Sequence, residues 1–69
     1  MNDDVLNMSL RKFLKKVGVT SQREIENAIK AALEDGRLRG TERSLPARVR
    51  LQLPAAGLDV EIDGEIELE

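Results

Sequence analysis

Residues 47–68, with the sequence ARVRLQLPAAGLDVEIDGEIEL, decide the fold of this chain. Apolar and polar residues alternate through residues 47–53 and again through residues 58–68, which is the pattern of half-buried β-strands. The segment between them, Pro54-Ala55-Ala56-Gly57, has the composition of a four-residue hairpin connection. We therefore expect strands over residues 47–53 and 58–68, joined as an antiparallel β-hairpin.

The loop length sets a register, and the charges support it. If Leu53 pairs with Leu58, the polar face places Arg50 opposite Glu61 and Arg48 opposite Asp63. Opposite charges that face each other across two strands stabilise the pair, whereas like charges destabilise it. Residues 37–50 carry five arginines and one acid, and residues 59–69 carry six acids and no base. The two runs are therefore expected to neutralise each other. The pairs expected on the apolar face are Leu53–Leu58, Leu51–Val60, Val49–Ile62, Ala47–Gly64 and Leu45–Ile66.

The second strand is longer than the first in this prediction. Its alternation continues without interruption through Gly64, which favours one strand with a bulge or kink over a turn at Asp63-Gly64. Beyond Gly64 we expect the strand to run past its partner and leave Ile66 and Leu68 at an uncovered edge.

Upstream of the hairpin, two helices are expected. The first spans residues 4–17, with Asp3 or Asp4 as its cap and Gly18 as its left-handed stop. The second spans residues 21–35, because Ser21 and Glu24 fit a capping box and Gly36 ends the pattern, with Thr20 as an alternative cap. Residues 36–46 form the connection. The helical spacing of one face is carried by Leu6, Leu10, Phe13, Leu14 and Val17 in the first helix and by Ile25, Ala28, Ile29, Ala32 and Leu33 in the second.

These elements predict one α+β domain over residues 1–69, in which an αα-hairpin precedes an antiparallel β-hairpin packed on it (ααββ). Three periodic apolar stripes need a common place to be buried. The expected core is Leu10, Phe13, Leu14, Ile25, Ile29, Leu33, Val49, Leu51, Val60 and Ile62.

Composition limits what can hold such a small domain together. The chain has no cysteine and no histidine, so it has no disulfide and lacks the ordinary ligands of a structural zinc site. Small domains without these supports rely on packing or oligomerisation. No apolar segment is long enough for a membrane span, and the acidic start is unlike a signal peptide. We expect a cytoplasmic protein.

Chemistry-bearing motifs are not evident. Histidine, cysteine and tyrosine are absent, and the five glycines are isolated, so neither a nucleophile with its base nor a phosphate loop can be assembled. We expect no enzyme activity, no cofactor, no metal and no small-molecule substrate.

Nucleic-acid binding is the alternative function. The segment Gly18-Val19-Thr20 between two helices has the form of a helix-turn-helix, which would place Gln22, Arg23 and Asn27 where base-reading side chains lie. Glu24 and Glu26 on the same surface, the missing third helix and the net charge of −2 argue against it.

A protein-interaction module that self-associates is the preferred function. Val5 and Met8 are apolar residues that the predicted core does not need. They share the outer side of the first helix with Arg11, Lys12 and Lys15. The second candidate surface is the C-terminal edge, with Ile66 and Leu68, because an unpaired strand edge invites strand addition. We expect a homodimer, or binding of another protein, through one of these two surfaces.

Residues 1–26 and 57–69 together resemble a family of small uncharacterised bacterial proteins, a domain of unknown function. The resemblance extends over nearly the whole chain. It implies a free-standing bacterial cytoplasmic protein, and it assigns no catalytic or binding residue.

Overall fold

One long helix forms the first half of the chain. The computed structural model describes residues 1–69 and places helix α1 over Asp3–Glu34. Asn2 is its N-cap, because the Asn2 Oδ1 accepts the backbone N–H groups of Asp4 (3.0 Å) and Val5 (3.2 Å). Asp3 and Asp4 follow in the first turn, where negative charge stabilises the helix dipole. The cap is therefore the residue before the two that were predicted.

The prediction of two helices, over residues 4–17 and 21–35, is wrong. Gly18 lies inside α1 with a helical backbone, and its φ is not positive. A glycine in a helix costs about 1 kcal/mol relative to alanine, which flanking turns can offset, and no proline lies near it. Ser21 is not a cap either, because it lies inside α1. The next residue, Gln22, donates its side-chain amide N–H to Glu26 Oε1 one turn further on (2.9 Å). The αα-hairpin does not exist.

The end of α1 agrees with the sequence. Gly36 has a φ of +82°, a left-handed conformation that favours glycine, directly after the C-cap Asp35. The Arg37 guanidinium Nε donates to the Asp35 carboxylate (2.8 Å) and holds the pKa of that carboxyl below its usual value. A short loop follows, in which the Glu42 carboxylate accepts the backbone N–H groups of Arg39 (3.0 Å) and Gly40 (2.9 Å).

The β-hairpin is confirmed. Strand β1 spans Ser44–Leu53, strand β2 spans Leu58–Glu67, and Pro54–Ala56 form a single 3₁₀ turn between them. Gly57 completes the connection with a φ of +68°. The antiparallel register is the predicted one at every position named above, from Leu53–Leu58 to Leu45–Ile66.

The far end of the hairpin differs from the prediction in both strands. The pairing continues without a bulge past Ala47–Gly64 to Ser44–Glu67. Beyond it the Leu68 backbone N–H donates to the Arg43 carbonyl (2.8 Å). The first strand starts earlier than predicted because Pro46 is accommodated opposite Glu65, so the C-terminal segment is not an uncovered tail.

The predicted core is also wrong. Ala32, at 8% exposure, is the only buried residue, whereas Phe13 is 51% exposed. Leu10, Leu14, Leu33, Val49, Val60 and Ile62 are exposed, and Ile25, Ile29 and Leu51 are half-buried. Without a second helix, α1 has nothing to pack against within its own segment, and a two-stranded sheet has no second layer of its own.

The chain divides into two compact units, Met1–Leu38, which we call the helix unit, and Arg39–Glu69, which we call the hairpin unit. The single domain expected over residues 1–69 stays a prediction.

Candidate interaction surfaces

A stripe that is apolar except at Ser21 runs along α1. Its members are spaced by four, four and three residues, and this eleven-residue pattern then repeats. Eleven residues correspond to about 3.67 residues per turn, close to the 3.6 of an α-helix, so the stripe stays on one side of the helix. We define the apolar stripe as Leu6, Leu10, Leu14, Val17, Ser21, Ile25, Ala28 and Ala32.

The two ends of the apolar stripe differ in bulk. The first half consists of three leucines and a valine, and one of these leucines, Leu14, is 56% exposed. The second half is smaller, with Ser21, Ala28 and Ala32 around Ile25. Phe13, the only aromatic residue of the chain, borders the bulky half. The stripe therefore presents large side chains near the N-terminus and a close-approach surface near the C-terminus.

The predicted residues of the first helix lie on the other side of α1. Val5, Met8, Lys12 and Lys15 follow one another at spacings of three, four and three residues, which places them in one row on a helix. Val5 is 62% and Met8 72% exposed. Arg11 lies between this row and the apolar stripe. The structure thus brings the predicted helical residues together, as an exposed surface of mixed apolar and basic character.

The cations of α1 have no acidic partner inside the chain. Four of them fall within residues 11–16, and none takes part in any of the ion pairs of the structure. The same is true of Glu24 and Glu26 in the second half of the helix. The charges of α1 are consequently available to a binding partner.

The hairpin unit has one apolar and one charged face. Ile66 and Leu68, the other predicted pair, both lie on the apolar face. Ile66 is half-buried opposite Leu45, and Leu68 is exposed. They do not form the uncovered edge that was predicted, because β1 and Arg43 pair with this segment. Both outer edges of the two-stranded sheet still carry unpaired backbone groups.

On the charged face the arginines of β1 pair with acids of β2, as the sequence predicted, whereas Arg37 pairs with Asp35 outside the sheet and Arg39 forms no ion pair. Arg48 Nε contacts Asp63 Oδ1 (2.7 Å) and Glu61 Oε2 (3.2 Å). Arg50 lies opposite Glu61 but pairs diagonally with Asp59 at 2.8 Å. Its guanidinium lowers the pKa of the Asp59 carboxyl, and that carboxylate in turn raises the pKa of Arg50. At the end of the sheet Arg43 approaches Glu69 (3.8 Å).

The helix-turn-helix geometry is absent, because residues 18–20 are helical and Gln22, Arg23 and Asn27 lie inside α1 instead of at the start of a second helix. No group of three or more potential ligand side chains is placed to hold a metal ion. The grooves on the surface are shallow; one follows the stripe beside Phe13 and Val17. No helix has the apolar length that a membrane crossing requires.

The apolar stripe was not predicted as one surface, because its residues were divided between two predicted helices, where Leu10, Leu14 and Ile25 were assigned to a core and Ser21 to a helix cap. A signal for it was present. Leu14, Val17, Ser21 and Ile25 keep the same helical phase on both sides of Gly18. Two helices joined by a turn have no reason to preserve that phase.

Comparison with known proteins gives one match. A family described as a family of unknown function (DUF6494) matches residues 1–69, which confirms the resemblance to a family of unknown function. No curated protein and no solved structure matches the chain.

Proposed function

We propose that this chain, which belongs to the DUF6494 family, is a non-enzymatic interaction module that self-associates through the apolar stripe of α1. One observation carries the proposal: the stripe runs along most of a 32-residue helix while Leu6, Leu10 and Leu14 remain exposed. Contiguous apolar surface of this kind is typical of protein-binding sites.

The stability of the helix supports the same proposal. Most helical stability in proteins comes from packing an amphipathic face, and much less comes from intrinsic propensity. Val17, Gly18, Val19 and Thr20 are poor helix formers and lie consecutively in the middle of α1. A helix with such a centre needs its apolar face covered.

The hairpin unit has a similar requirement. An isolated two-stranded hairpin is only marginally stable in water, and Val49, Val60 and Ile62 on its apolar face are exposed. Its ion pairs lie at the surface, where each contributes little. A protein partner that covers the apolar stripe of α1 or the apolar face of the hairpin unit is therefore expected to stabilise the folded chain.

Sedimentation equilibrium over a wide concentration range tests the proposal. We expect a mass at least twice that of the single chain, which is 7.7 kDa. Leu14→Glu keeps a good helix former but places a charge in the stripe, and it should weaken self-association about 100-fold. Met8→Glu is the matched control, because it makes the same kind of change on the opposite side of α1 and should have little effect.

Two results would contradict this function: a monomer at hundreds of micromolar, or equal effects of the two variants. A larger effect of Met8→Glu would instead favour the Val5–Met8 surface. A different protein that binds the stripe would be captured by the wild-type chain and lost with Leu14→Glu. The bacterial cytoplasmic setting implied by the resemblance is part of the proposal, and fractionation of the native host tests it.

Nucleic-acid binding remains the alternative, favoured by the four unpaired cations of residues 11–16. It predicts strongly salt-dependent binding of DNA or RNA that is lost when Lys12 and Lys15 are changed to Glu. Binding that is absent at low salt would eliminate it.

A further inference from the structure

We propose that the apolar stripe is covered by the stripe of a second copy of this chain, with the two helices antiparallel and centred on Val19. This inference rests on the proposed self-association and adds the partner surface, the direction and the register.

The spacing of the apolar stripe is nearly symmetric about the level of Val19, although Val19 itself lies on the opposite side of α1. When two copies run antiparallel with their Val19 residues at the same level along the axis, Leu6 of one lies level with Ala32 of the other, and Leu10 lies level with Ala28. Val17 likewise meets Ser21, and Leu14 comes within one residue of Ile25. Every member of the stripe then lies level with a member of the partner's stripe or within one residue of it. A stripe with spacings that were not symmetric would fall out of step in this orientation.

Side-chain size favours the same direction. The distance between two packed helices, about 8–10 Å, depends on the side chains at the contact. In the antiparallel pair Leu6, Leu10 and Val17 each meet a smaller residue, and only Leu14 meets another large side chain, Ile25, so one distance suits most of the interface. In a parallel pair leucines would face leucines near the N-termini and alanines would face alanines near the C-termini. The two ends would then require different distances.

Charge gives an independent argument. In the antiparallel pair residues 11–16 of one copy, with four cations, lie level with residues 22–27 of the other, which carry Glu24 and Glu26 against Arg23. Lys12, Lys15 and Glu26 lie on the side of α1 away from the stripe, so the attraction acts between the two segments and not through direct ion pairs. In a parallel pair the four cations of both copies would lie at the same level and repel. Because these cations have no partner within the chain, nothing inside the chain reduces the difference between the two directions.

At the two ends of the antiparallel pair, like charges repel and disfavour this direction. Asp3 and Asp4 of one copy would lie near Glu34 of the other. These acids are at the exposed helix termini, where solvent and salt screen them. Asp35 beside them is already paired with Arg37. The repulsion at the ends is therefore weak.

Spin-label distances in the full chain test the direction. The chain has no cysteine, so Ser9→Cys provides a unique attachment point on the exposed side of α1. In the antiparallel pair Ser9 lies level with Ile29 of the second copy, so the two labels are separated by about 30 Å along the axis. In a parallel pair the labels would be separated only by about the distance between the helices.

Charge exchange provides the second measurement, read by sedimentation equilibrium at low salt. Changing Glu24 and Glu26 to Lys leaves cations level with cations and should weaken self-association about threefold at low salt. Adding Lys12→Glu, Lys15→Glu and Lys16→Glu to the same chain should restore it in the antiparallel pair, because both segments have exchanged sign. In a parallel pair the combined variant would still place like charges together. Circular dichroism verifies that each variant keeps its helix.

Label distances near 30 Å and rescue by the combined variant are the expected results. A dimer with a short Ser9–Ser9 distance, or without rescue, would overturn the antiparallel stripe and leave the proposed self-association standing. A monomeric wild-type chain would overturn both.

Discussion

In the hairpin unit each residue from Ser44 to Leu53 has a partner on β2, and the arginines of one strand face the acids of the other. In the helix unit the backbone is equally regular, but the apolar stripe has no partner within that unit and the charges of α1 form no ion pair. The strand pattern is therefore completed inside the hairpin unit, whereas the helix pattern is not completed inside the helix unit. A strand pattern can be completed by the next strand of the same chain, whereas the face of a single helix specifies only that something must cover it.

The largest expected effect comes from breaking the helix at its centre. Gly18→Pro removes the backbone donor to Leu14 and introduces a steric clash there, at a cost of about 3 kcal/mol. Gly18→Ala should instead stabilise α1 by about 1 kcal/mol, because a Cβ at this position meets no atom within 4 Å. Helicity from circular dichroism and amide exchange over residues 14–22 measure both changes. A chain that tolerates proline but is destabilised by alanine would indicate a turn at Gly18.

A smaller effect is expected at the hairpin connection. Gly57→Ala forces a side chain into a left-handed conformation, with φ at +68°, and should destabilise the hairpin unit by about 1–2 kcal/mol. Gly64→Ala is the matched control in the same unit. Its φ is not positive and its Cβ meets no atom within 4 Å, so the change should be about 0.5 kcal/mol or less. Amide exchange of β1 and β2 measures the stability of the hairpin unit in both variants. An equal loss of stability in the two would contradict a special requirement for glycine at residue 57.

The smallest effect concerns the loop at the start of the hairpin unit. The Arg39 and Gly40 backbone N–H groups hydrogen-bond to the Glu42 carboxylate, and the first of these contributes most to lowering the pKa of Glu42. Because the folded pKa lies below the unfolded one, the stabilisation is complete above the unfolded pKa and is lost as the pH falls through the folded pKa. In an NMR titration, the chemical shifts of the Arg39 and Gly40 amides should change at a pH below the range in which a glutamate usually titrates. Glu42→Gln should abolish that shift, and a transition that persists in this variant would assign it to another group.

The hairpin could be predicted because its evidence is redundant. Alternation, loop length and charge each indicate the same register, so an error in one is corrected by the others. The misplaced start of β1 came from treating Pro46 as the end of a connection, although a proline is tolerated at the edge of a two-stranded sheet. Ile66 and Leu68 appeared uncovered for the same reason.

The helix could not be predicted from local signals alone. Gly18 and the Ser21–Glu24 pair each resemble a terminus, but such a signal is worth only about 1 kcal/mol. The phase shared by Leu14, Val17, Ser21 and Ile25 extends over three turns and indicates a continuous helix. The row of Val5, Met8, Lys12 and Lys15 was placed correctly because it lies within one of the predicted helices. What covers the apolar stripe could not be deduced, since a core and an interface leave the same periodicity in a sequence.

The eleven-residue pattern of α1 also has a consequence for how the length of this helix can vary. Removing or adding eleven residues turns the rest of the helix by only about 20° relative to the stripe, because eleven residues are close to three full turns. A change of two or five residues would rotate one half of the stripe by more than a quarter turn. Relatives of this chain with longer or shorter helices are therefore expected to differ in steps that preserve whole turns, and a gap placed inside α1 by any other number would indicate a face that has been lost.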